Sequence, residues 1–598
     1  MKRFSPLALA LLLLISPSAH AAPDFDAWVE GFAQEWVSVE PMVATRAQYL
    51  QADEQDGADR RLVGPDGLYP LEASARTARA KRARRGLEDL NRWKRSELTP
   101  VQRVSFDLLT WSFQNLIRAS EAVGSLYVFE QFGGLQVNLV NFLTQVHPIR
   151  TRRDVENYLA RLEQVAPLLD RGVTEAQTRA SRGVVPPRFI LSSTISGLDR
   201  FLAPPAPKNV FVTSLAERTK RVSDLSEAER ADALARAETL TAEAIRPAFS
   251  RVRDLLVEQA KTATDDAGLW KVPNGAEVYA TQLASFTTTH LTPDEIHAIG
   301  LREVARIEGE MDKILRELGY SEGSVKDRYL KLNATLIPPA SPDPRPALVA
   351  EYTRIVRDAQ RRAQAVFDLQ PKAPVEVMRE PPFTEAGAAA HYSSPAPDGT
   401  KPGIFWIPLA TLAPDVLWLG AGMKTVAYHE AVPGHHFQIT LEQELPEVPR
   451  FRKLRVLGGL AAFAEGWGLY AERLADESGW YEGDPKGRLG YLQAQLFRAR
   501  RLVVDTGLHA MHWTRQQAID YGIQPSEVER YVVNPGQACS YMIGQLKIVE
   551  LREKARAALG DGFSLKEYHN LLFRTGEVPL DVLATVVDAW IAERKSHG

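Results

Sequence analysis

Apolar residues recur at intervals of three and four positions through most of this 598-residue chain, and this periodicity limits the possible fold more than any other feature. The pattern begins with Phe25, Trp28, Phe32 and Trp36, which one face of an α-helix would carry together. Similar patterns follow along the chain, without an internal repeat of fixed period. The sequence therefore predicts a mainly α-helical protein.

The segment 291–319 shows the helical pattern most completely. Thr292 is a candidate N-cap, Pro293 suits the first helical position, and Glu295 three residues after Thr292 completes a capping box. The apolar stripe that follows consists of Ile296, Ile299, Val304, Ile307, Met311, Ile314 and Leu318. We therefore predict one long amphipathic helix in this segment.

One region departs from the helical pattern. The segments 374–383 and 388–410 contain residues that favour strands, and the pair Asp398-Gly399 lies between two short apolar runs. This pattern predicts a hairpin and a small β-sheet just before the histidine-rich segment described below. In many metallopeptidases such a strand pairs with an extended substrate, although a hairpin that only covers a helix has the same pattern.

Residues 1–21 have the layout of a cleavable secretory signal. Two basic residues precede an apolar run from Leu7 to Ile15, and small residues end the segment at Ala21. The apolar run is shorter than the about 20 residues that a membrane-spanning helix needs. We expect cleavage near Ala22, export to the periplasm or the medium, and no stable membrane insertion afterwards.

The composition indicates a large globular protein without a nucleic-acid partner. Its 72 basic and 75 acidic residues give a net charge of -3, and neither sign is concentrated in one region. Proline-rich stretches at 202–209 and 337–346 are typical of loops. We expect an N-terminal helical region, 22–270, and a catalytic region, 271–598, within one compact unit. The single cysteine, Cys539, cannot form an internal disulfide, and we expect it to be buried.

The segment AYHEAVPGHHFQ, 427–438, contains three histidines and a glutamate within eight positions. It begins like the zinc-peptidase motif H-E-x-x-H, in which two histidines one helical turn apart bind one ion. Here Pro433 occupies the position of the second histidine, and proline cannot bind a metal. In an unbroken helix His436 would lie about 10 Å along the axis from His429, and His435 would face another side.

Pro433 and Gly434 suggest how the metal site could still form. Proline interrupts helical hydrogen bonding and glycine adopts unusual dihedral angles, so we expect the helix to break or bulge at this point. Such a distortion would draw His435 or His436 back toward His429. The sequence leaves both histidines open as the second metal ligand.

A second predicted helix, 458–477, supplies carboxylates. Glu465 and Glu472 are seven residues apart in it and therefore lie on nearly one helical face. Small and aromatic residues surround Glu465, and a charged group in such surroundings requires a partner. A glutamate from this helix would complete a His-His-Glu set for one zinc ion together with His429.

In these motifs, YHEAVPGHHFQ and AFAEGWGLYAE, and in VDTGLHAMHWT and NPGQACSYMIGQLKI further on, the sequence resembles a bacterial family known as domain of unknown function 885. This family is usually grouped with the zincin metallopeptidases. The resemblance extends over most of the chain after the signal segment. More distantly, the sequence is similar to the helical clamshell peptidases, in which a mainly α-helical body surrounds a deep zinc channel.

The resemblance implies a zinc metallopeptidase that cleaves short oligopeptides. Glu430 would be the general base that deprotonates a zinc-activated water, and Tyr541 would stabilise the oxyanion. His509 would contact the substrate or the oxyanion, oriented by Asp505 one helical turn earlier, although a structural hydrogen bond explains that pair equally well. Candidate residues of the substrate-binding wall are His391, Tyr392 and His512.

Two other functions agree with the same residues. A zinc hydrolase of a non-peptide amide or ester would use the same activated water, and a periplasmic peptide-binding protein would not need Glu430 for its activity. A purely structural scaffold does not explain why histidines and glutamates are concentrated in these segments. The sequence does not determine the oligomeric state, the natural substrate or the metal used in the cell.

Overall fold

The computed structural model describes residues 24–67, 69–381, 385, 388–396 and 401–597. The predicted signal segment and the Asp398-Gly399 pair lie outside these residues. Within them the chain is mainly α-helical and contains one small sheet, which confirms the fold class predicted from the apolar periodicity.

The α-helices are numbered in chain order. Before residue 270 they are α1 Phe25–Ser38, α2 Pro41–Ala47, α3 Ala52–Asp59, α4 Ala73–Leu90, α5 Pro100–Ala122, α6 Leu135–Asn141, α7 Arg152–Ala180, α8 Arg188–Leu202, α9 Val210–Thr219, α10 Glu227–Leu240 and α11 Arg246–Ala260. After it they are α12 Gly275–Thr287, α13 Pro293–Glu317, α14 Val325–Ala334, α15 Arg345–Ala363, α16 Met423–Glu430, α17 His435–Glu444, α18 Arg450–Lys453, α19 Ala461–Glu477, α20 Pro485–Ala510, α21 Arg515–Asp520, α22 Pro525–Val533, α23 Ser540–Leu559, α24 Leu565–Thr575 and α25 Leu580–His597. None of these described helices carries an apolar stretch of the length that a bilayer crossing requires.

Helix α13 shows how the local sequence sets a boundary. The Thr292 hydroxyl accepts a hydrogen bond from the amide of Glu295, and the Glu295 carboxylate accepts one from the amide of Thr292. These reciprocal bonds satisfy two amides that the first helical turn leaves without partners. The buried face of the helix contains most of the predicted apolar stripe. The prediction of one long helix within 291–319 is confirmed.

The sheet consists of β1 Val375–Arg379, β2 His391–Ser393 and β3 Gly403–Ile407, in the spatial order β1-β3-β2. β2 and β3 are antiparallel and correspond to the predicted hairpin. β1 is parallel to β3, an arrangement that the hairpin prediction did not include. This arrangement depends on tertiary contacts, because both strands pack against α15. β1 contacts this helix directly, and the ring centroid of Phe405 in β3 lies 5.4 Å from that of Tyr352 in α15.

Two clusters of buried side chains form most of the core. One cluster joins α1, α4 and α5 to helices beyond residue 270, such as α13 and α19. The other lies between Leu62 and Ala263, and mainly involves α6 to α11. The first helices therefore pack with the part of the chain that carries the candidate site, and the predicted division at residue 270 stays a prediction.

Helices α19 and α23 approach each other at two glycines. A Cβ atom at Gly466 in α19 would lie 2.6 Å from the backbone of Gly544 in α23, and one at Gly544 would overlap the carbonyl oxygen of Ala462. Such short separations exclude any larger residue unless the helices move apart. The contact fixes α19, the helix that carries Glu465 and Glu472.

We predict that Gly544→Ala destabilises the protein by about 1–3 kcal/mol, because its methyl group overlaps the backbone of α19. Gly309→Ala is the matched control, since this glycine lies inside α13 with nothing within 4 Å of its Cβ position. The control is expected to be neutral or more stable by up to about 1 kcal/mol. Denaturant unfolding of both variants measures the difference, and equal free energies of unfolding would contradict the α19–α23 contact.

Candidate metal centre

A short break separates the two helices that carry the histidines. α16 ends at Glu430, and α17 begins at His435. Pro433 has no amide proton to continue the helix, and a Cβ atom at Gly434 would overlap the carbonyl oxygen of His429. The helix is therefore interrupted at the Pro-Gly pair, as the sequence predicts.

Helix α19 fixes the path of the chain through this break. The indole Nε1 of Trp467 donates a hydrogen bond to the carbonyl oxygen of Pro433 at 2.9 Å and lies 3.2 Å from that of Gly434. Trp467 is completely buried, so these contacts are shielded from water. The relative positions of His429 and His435 therefore depend on α19 as well as on the break itself.

The break brings His435 to His429. One potential ligand atom from each of His429, Glu430 and His435 lies within 4.8 Å of the other two. The Oε2 atom of Glu465 lies 3.5 Å from Nε2 of His429 and 3.5 Å from Nε2 of His435. Two imidazole nitrogens and a carboxylate oxygen therefore face a common point. The structure thus gathers four of the residues predicted from the sequence.

His436, the other candidate for the second ligand, faces the sheet. Its Nδ1 atom lies 2.9 Å from the hydroxyl of Tyr392 and 3.2 Å from that of Thr440. Burial lowers the pKa of His436 to about 4, so the ring is neutral near pH 7. One further residue along a helix turns a side chain by about 100°, which directs His436 away from the cluster that His435 joins. The geometry therefore brings His435, and not His436, to His429 and Glu465.

A second carboxylate of α19 orients His429. Nδ1 of His429 lies 2.8 Å from Oε1 of Glu472, whose other oxygen accepts a hydrogen bond from Gln495 at 3.0 Å. If a metal ion took the place of the proton on Nε2, the proton on Nδ1 would stay shared with Glu472, and Nε2 would be the atom that binds the ion. Gly468 leaves room for the imidazole, because a Cβ atom there would lie 2.6 Å from its Cε1. Carboxylates orient many metal-binding histidines in this way.

The charges of the cluster favour a cation. Burial lowers the pKa of His429, but hydrogen bonds to Glu465 and Glu472 outweigh this effect and raise the pKa to about 10. Burial raises the pKa of Glu465, yet hydrogen bonds from His429 and His435 hold it well below its usual range. Burial also raises the pKa of Glu430. A positive charge among these carboxylates lowers the free-energy cost of burying them in their charged form.

The donor set fits zinc. Catalytic zinc sites commonly use two histidines and a glutamate and keep a further coordination position for water or substrate. His429, His435 and Glu465 supply that set here, and Glu430 lies beside them without being needed as a ligand. These residues would hold one ion.

The cluster forms part of the wall of a cavity of about 1070 Å³. This volume is at the upper end of the range of about 300–1,000 Å³ that is typical of small-molecule sites, so it suits a ligand as long as a short peptide. His391, Tyr392 and Tyr541 also line it. The structure therefore brings three further predicted site residues to the same cavity as the histidines.

Tyr541 lies in the first turn of α23 and contacts Arg501, which was not predicted as a site residue. Burial raises the pKa of the Tyr541 phenol, and the negative charge of Glu465 raises it further. The guanidinium carbon of Arg501 lies 4.6 Å from the ring centroid. The phenol is therefore protonated at neutral pH and available as a hydrogen-bond donor.

The structure does not bring His509 to the cluster. Its Nδ1 accepts a hydrogen bond from the amide of Leu269 at 3.1 Å, and its Nε2 lies 3.0 Å from the carbonyl oxygen of Tyr531. Burial lowers the pKa of His509 to about 4. Asp505 accepts a hydrogen bond from the hydroxyl of Tyr279 at 2.7 Å instead of orienting this ring. Both ring nitrogens are engaged with the backbone, so the geometry does not support a catalytic His509.

His512, a candidate for the substrate-binding wall, and Cys539 lie away from the cavity. The ring of His512 stacks on that of Trp270, with centroids 4.3 Å apart and planes 4° from parallel. Cys539 is a free, buried thiol, as expected. Neither residue is among those that line the cavity.

Two residues of α20, Gln495 and Arg501, were not predicted as site residues. Gln495 holds Glu472, and Arg501 lines the cavity. The sequence does contain a signal for Arg501, because Gln493, Phe497 and Arg501 recur at four-residue spacing and therefore share one face of a helix. In the structure all three residues line the cavity. No signal for Gln495 was available, because its role depends on where α20 packs against α19.

The fold and the site define a mainly α-helical protein with a buried histidine–glutamate cluster on a large cavity. The chain belongs to a bacterial family described as "Bacterial protein of unknown function (DUF885)", which matches residues 57–587. This range includes every residue of the cluster. A search of curated proteins found no significant match.

Two solved structures are similar to this chain. One is described as "The crystal structure of the putative lipoprotein from Colwellia psychrerythraea"; it is 30% identical, covers 95% of this chain and 100% of its own, and has a TM-score of 0.85. The other, "The structure of a putative lipoprotein of unknown function from Shewanella oneidensis", is 19% identical with a TM-score of 0.70. It covers 94% of this chain and 100% of its own, and it shows the fold alone.

We predict that the purified protein binds one zinc ion and that His435→Gln removes tight binding while His436→Gln retains it. The reason is that only His435 shares the carboxylate of Glu465 with His429. Competition with a chromophoric chelator measures both affinities, and circular dichroism checks that each variant is folded. Equal losses of affinity in the two folded variants would contradict the assignment of His435.

Glu472→Gln tests the second carboxylate of α19. We expect the zinc affinity to fall about 10–100-fold, because the residue orients His429 without binding the ion. The same competition assay measures the change. An unchanged affinity would show that the contact between Glu472 and His429 does not matter for the metal.

Proposed function

We propose that this protein is an exported zinc metallopeptidase that hydrolyses short peptides. The observation that carries the proposal is the convergence of His429, His435 and Glu465 beside Glu430, on the wall of a cavity of about 1070 Å³. This set combines a zinc-binding triad with a carboxylate that does not have to bind the ion. Hydrolysis needs both parts.

A zinc ion held by this triad would supply Lewis acidity to a water molecule and to the scissile carbonyl group. Glu430 would accept the proton of the attacking water and then deliver it to the leaving amine. Its position supports this role, because a carboxylate oxygen of Glu430 lies within 4.8 Å of ligand atoms of both His429 and His435.

Tyr541 would donate a hydrogen bond from its hydroxyl group to the negative oxygen that develops on the attacked carbonyl. Two observations support this role: the residue lines the cavity, and its phenol is protonated at neutral pH because burial and Glu465 raise its pKa. Tyr541 thus takes the part for which His509 was also a candidate.

The sheet edge offers a place for the peptide backbone. Among the described strands, β2 pairs with β3 on one side only, and its residues His391 and Tyr392 line the cavity. An extended peptide could add beside this edge through main-chain hydrogen bonds. His436 contributes indirectly, since its contact with the Tyr392 hydroxyl holds the strand against α17.

Support for export comes from the sequence of residues 1–21, which the structure does not describe, and from a solved relative. The sequence of residues 1–21 has the order of charge, apolar run and small residues that is typical of a secretory signal. The solved relative of 30% identity is described as a "putative lipoprotein", which agrees with export. Both observations favour an enzyme that acts in the periplasm or the medium.

The proposal is tested with the mature protein, loaded with zinc and incubated with a diverse peptide mixture. We expect cleavage products in mass spectrometry, and we expect none from Glu430→Gln, because this variant lacks the proton acceptor but keeps the zinc ligands. Zinc content and circular dichroism confirm that the variant is loaded and folded. Product termini reveal whether cleavage occurs at an end or within the peptides.

The outcomes separate the alternatives. If the loaded wild type leaves every peptide intact but hydrolyses amide or ester probes in a Glu430-dependent manner, the non-peptide hydrolase is correct. If neither protein cleaves any probe and both bind peptides equally, the molecule is a peptide-binding protein. Both results would contradict the metallopeptidase proposal.

We predict that Tyr541→Phe lowers kcat for a cleaved peptide about 10²–10³-fold, because the variant lacks one donor to the oxyanion. KM and zinc affinity are expected to change little, since the aromatic ring and the zinc ligands are retained. Steady-state kinetics and the chelator assay measure these quantities. A variant with wild-type kcat would exclude Tyr541 as the oxyanion donor.

A further inference from the structure

Arg501 is a buried cation in the wall of the cavity. Its residue surface is only 5% exposed, and it lies on α20 next to Tyr541. Its Nε donates to the hydroxyl of Tyr531 at 3.0 Å, and its Nη2 donates to Glu527 at 2.9 Å. The third nitrogen, Nη1, is buried and has no hydrogen-bond partner among the described residues. A buried donor without a partner loses hydrogen-bonding free energy, so an acceptor supplied by a ligand would stabilise this nitrogen.

The charged residues around Arg501 do not provide an acceptor for Nη1. Arg501 and Arg530 share the carboxylate of Glu527, and Nη1 of Arg530 lies 3.2 Å from Oε1 of Glu527. Tyr531 also donates to this carboxylate, at 2.8 Å. Two guanidinium groups therefore face one carboxylate, and this part of the wall carries an excess positive charge. A further carboxylate would balance it.

Aromatic contacts explain part of the burial of Arg501 but not the free donor. The guanidinium carbon lies 4.4 Å from the ring centroid of Phe497 and 4.6 Å from that of Tyr541. Such contacts place a cation over an aromatic ring but supply no oxygen or nitrogen that accepts a hydrogen bond. A carboxylate does supply such an acceptor, and its hydrogen bond to a guanidinium group is stronger than one between neutral groups.

Tyr541 relates this arginine to the candidate zinc site. Both residues line the cavity, and the guanidinium carbon of Arg501 lies 4.6 Å from the centre of the Tyr541 ring. In the proposed function the hydroxyl of that ring contacts the scissile carbonyl. An extended chain spans about 3.3–3.6 Å per residue, so a separation of this size corresponds to one or two residues of the peptide.

We infer that Arg501 binds a carboxylate of the substrate and so selects peptides that carry this group within one or two residues of the bond to be cleaved. The α-carboxylate at the peptide's end and the side chain of Asp or Glu have the same chemistry. The inference rests on the proposed function, because it assigns the substrate class of the same cavity. With the α-carboxylate as ligand, the enzyme would remove one or two residues from the carboxyl end.

The first test uses the wild type with three libraries of N-acetylated tetrapeptides. One library ends in a free carboxylate, the second in an amide, and the third in an amide with glutamate as the last residue. We expect kcat/KM for the free acids to exceed that for the plain amides about tenfold to a hundredfold, as for a hydrogen bond to a charged group. Fast cleavage of the glutamate amides would identify the side-chain carboxylate as the ligand. Equal cleavage of all three libraries would overturn the inference.

Variants connect the preference with Arg501. In Arg501→Gln the preference for the carboxylate is expected to disappear, because the free acids lose more kcat/KM than the plain amides, and Arg501→Lys should restore part of the preference. Arg500→Gln is the matched control: Arg500 also lines the cavity, but it is paired with Glu308 at 2.7 Å. The control should keep the preference. An equal decrease for acids and amides in Arg501→Gln would indicate a structural role and contradict the inference.

A binding measurement separates the inference from the proposed function. Zinc-loaded Glu430→Gln is titrated calorimetrically with a free-acid tetrapeptide and with its amide. Tighter binding of the acid, lost on adding Arg501→Gln, would support the carboxylate site even if the wild type cleaved no peptide. Equal affinities for acid and amide would reject the site even if the wild type proved to be a peptidase.

Discussion

The break between α16 and α17 is the constraint on which the candidate site depends. A continuous helix would place His429 and His435 on different sides, and no local rearrangement short of interrupting it could make them ligands of one ion. Pro433 removes the donor that would continue the helix, and Gly434 permits the close approach to the carbonyl oxygen of His429. The cost of this irregular backbone is offset by the indole of Trp467, which binds the carbonyl groups exposed by the break.

Helix α19 supports the break and also carries the carboxylates that contact the two histidines. Trp467 holds the break, Glu465 faces the Nε2 atoms of both histidines, and Glu472 holds the opposite nitrogen of His429. These carboxylates are costly to bury unless they are paired, so each of them has an imidazole or amide partner. The glycine contact between α19 and α23 sets the position of the whole group, because it lets the backbones approach without intervening side chains.

Two groups of charged residues in the wall of the cavity differ in character. Glu430 and Glu465 belong with the histidines to one group, and Arg501 and Arg530 belong with Glu527 to the other. The pKa of Tyr541 is influenced by both Glu465 and Arg501. An uneven distribution of this kind favours a ligand with a defined direction, such as a peptide with one charged end.

The sequence by itself determined the elements and most of the chemical groups. Apolar spacing and the capping box at Thr292 are local signals, and they were sufficient for α13 and for the mainly helical class. The sequence also singled out His429, Glu430 and Glu465, because charged and metal-binding side chains stand out in apolar surroundings. Only the tertiary structure decided that His435 joins them while His436 and His509 bind elsewhere, that β1 runs parallel to β3, and that Arg501 lines the cavity. The physical reason is that such choices depend on the packing of segments far apart in the chain, which fixes how a side chain is directed after its own helix has formed.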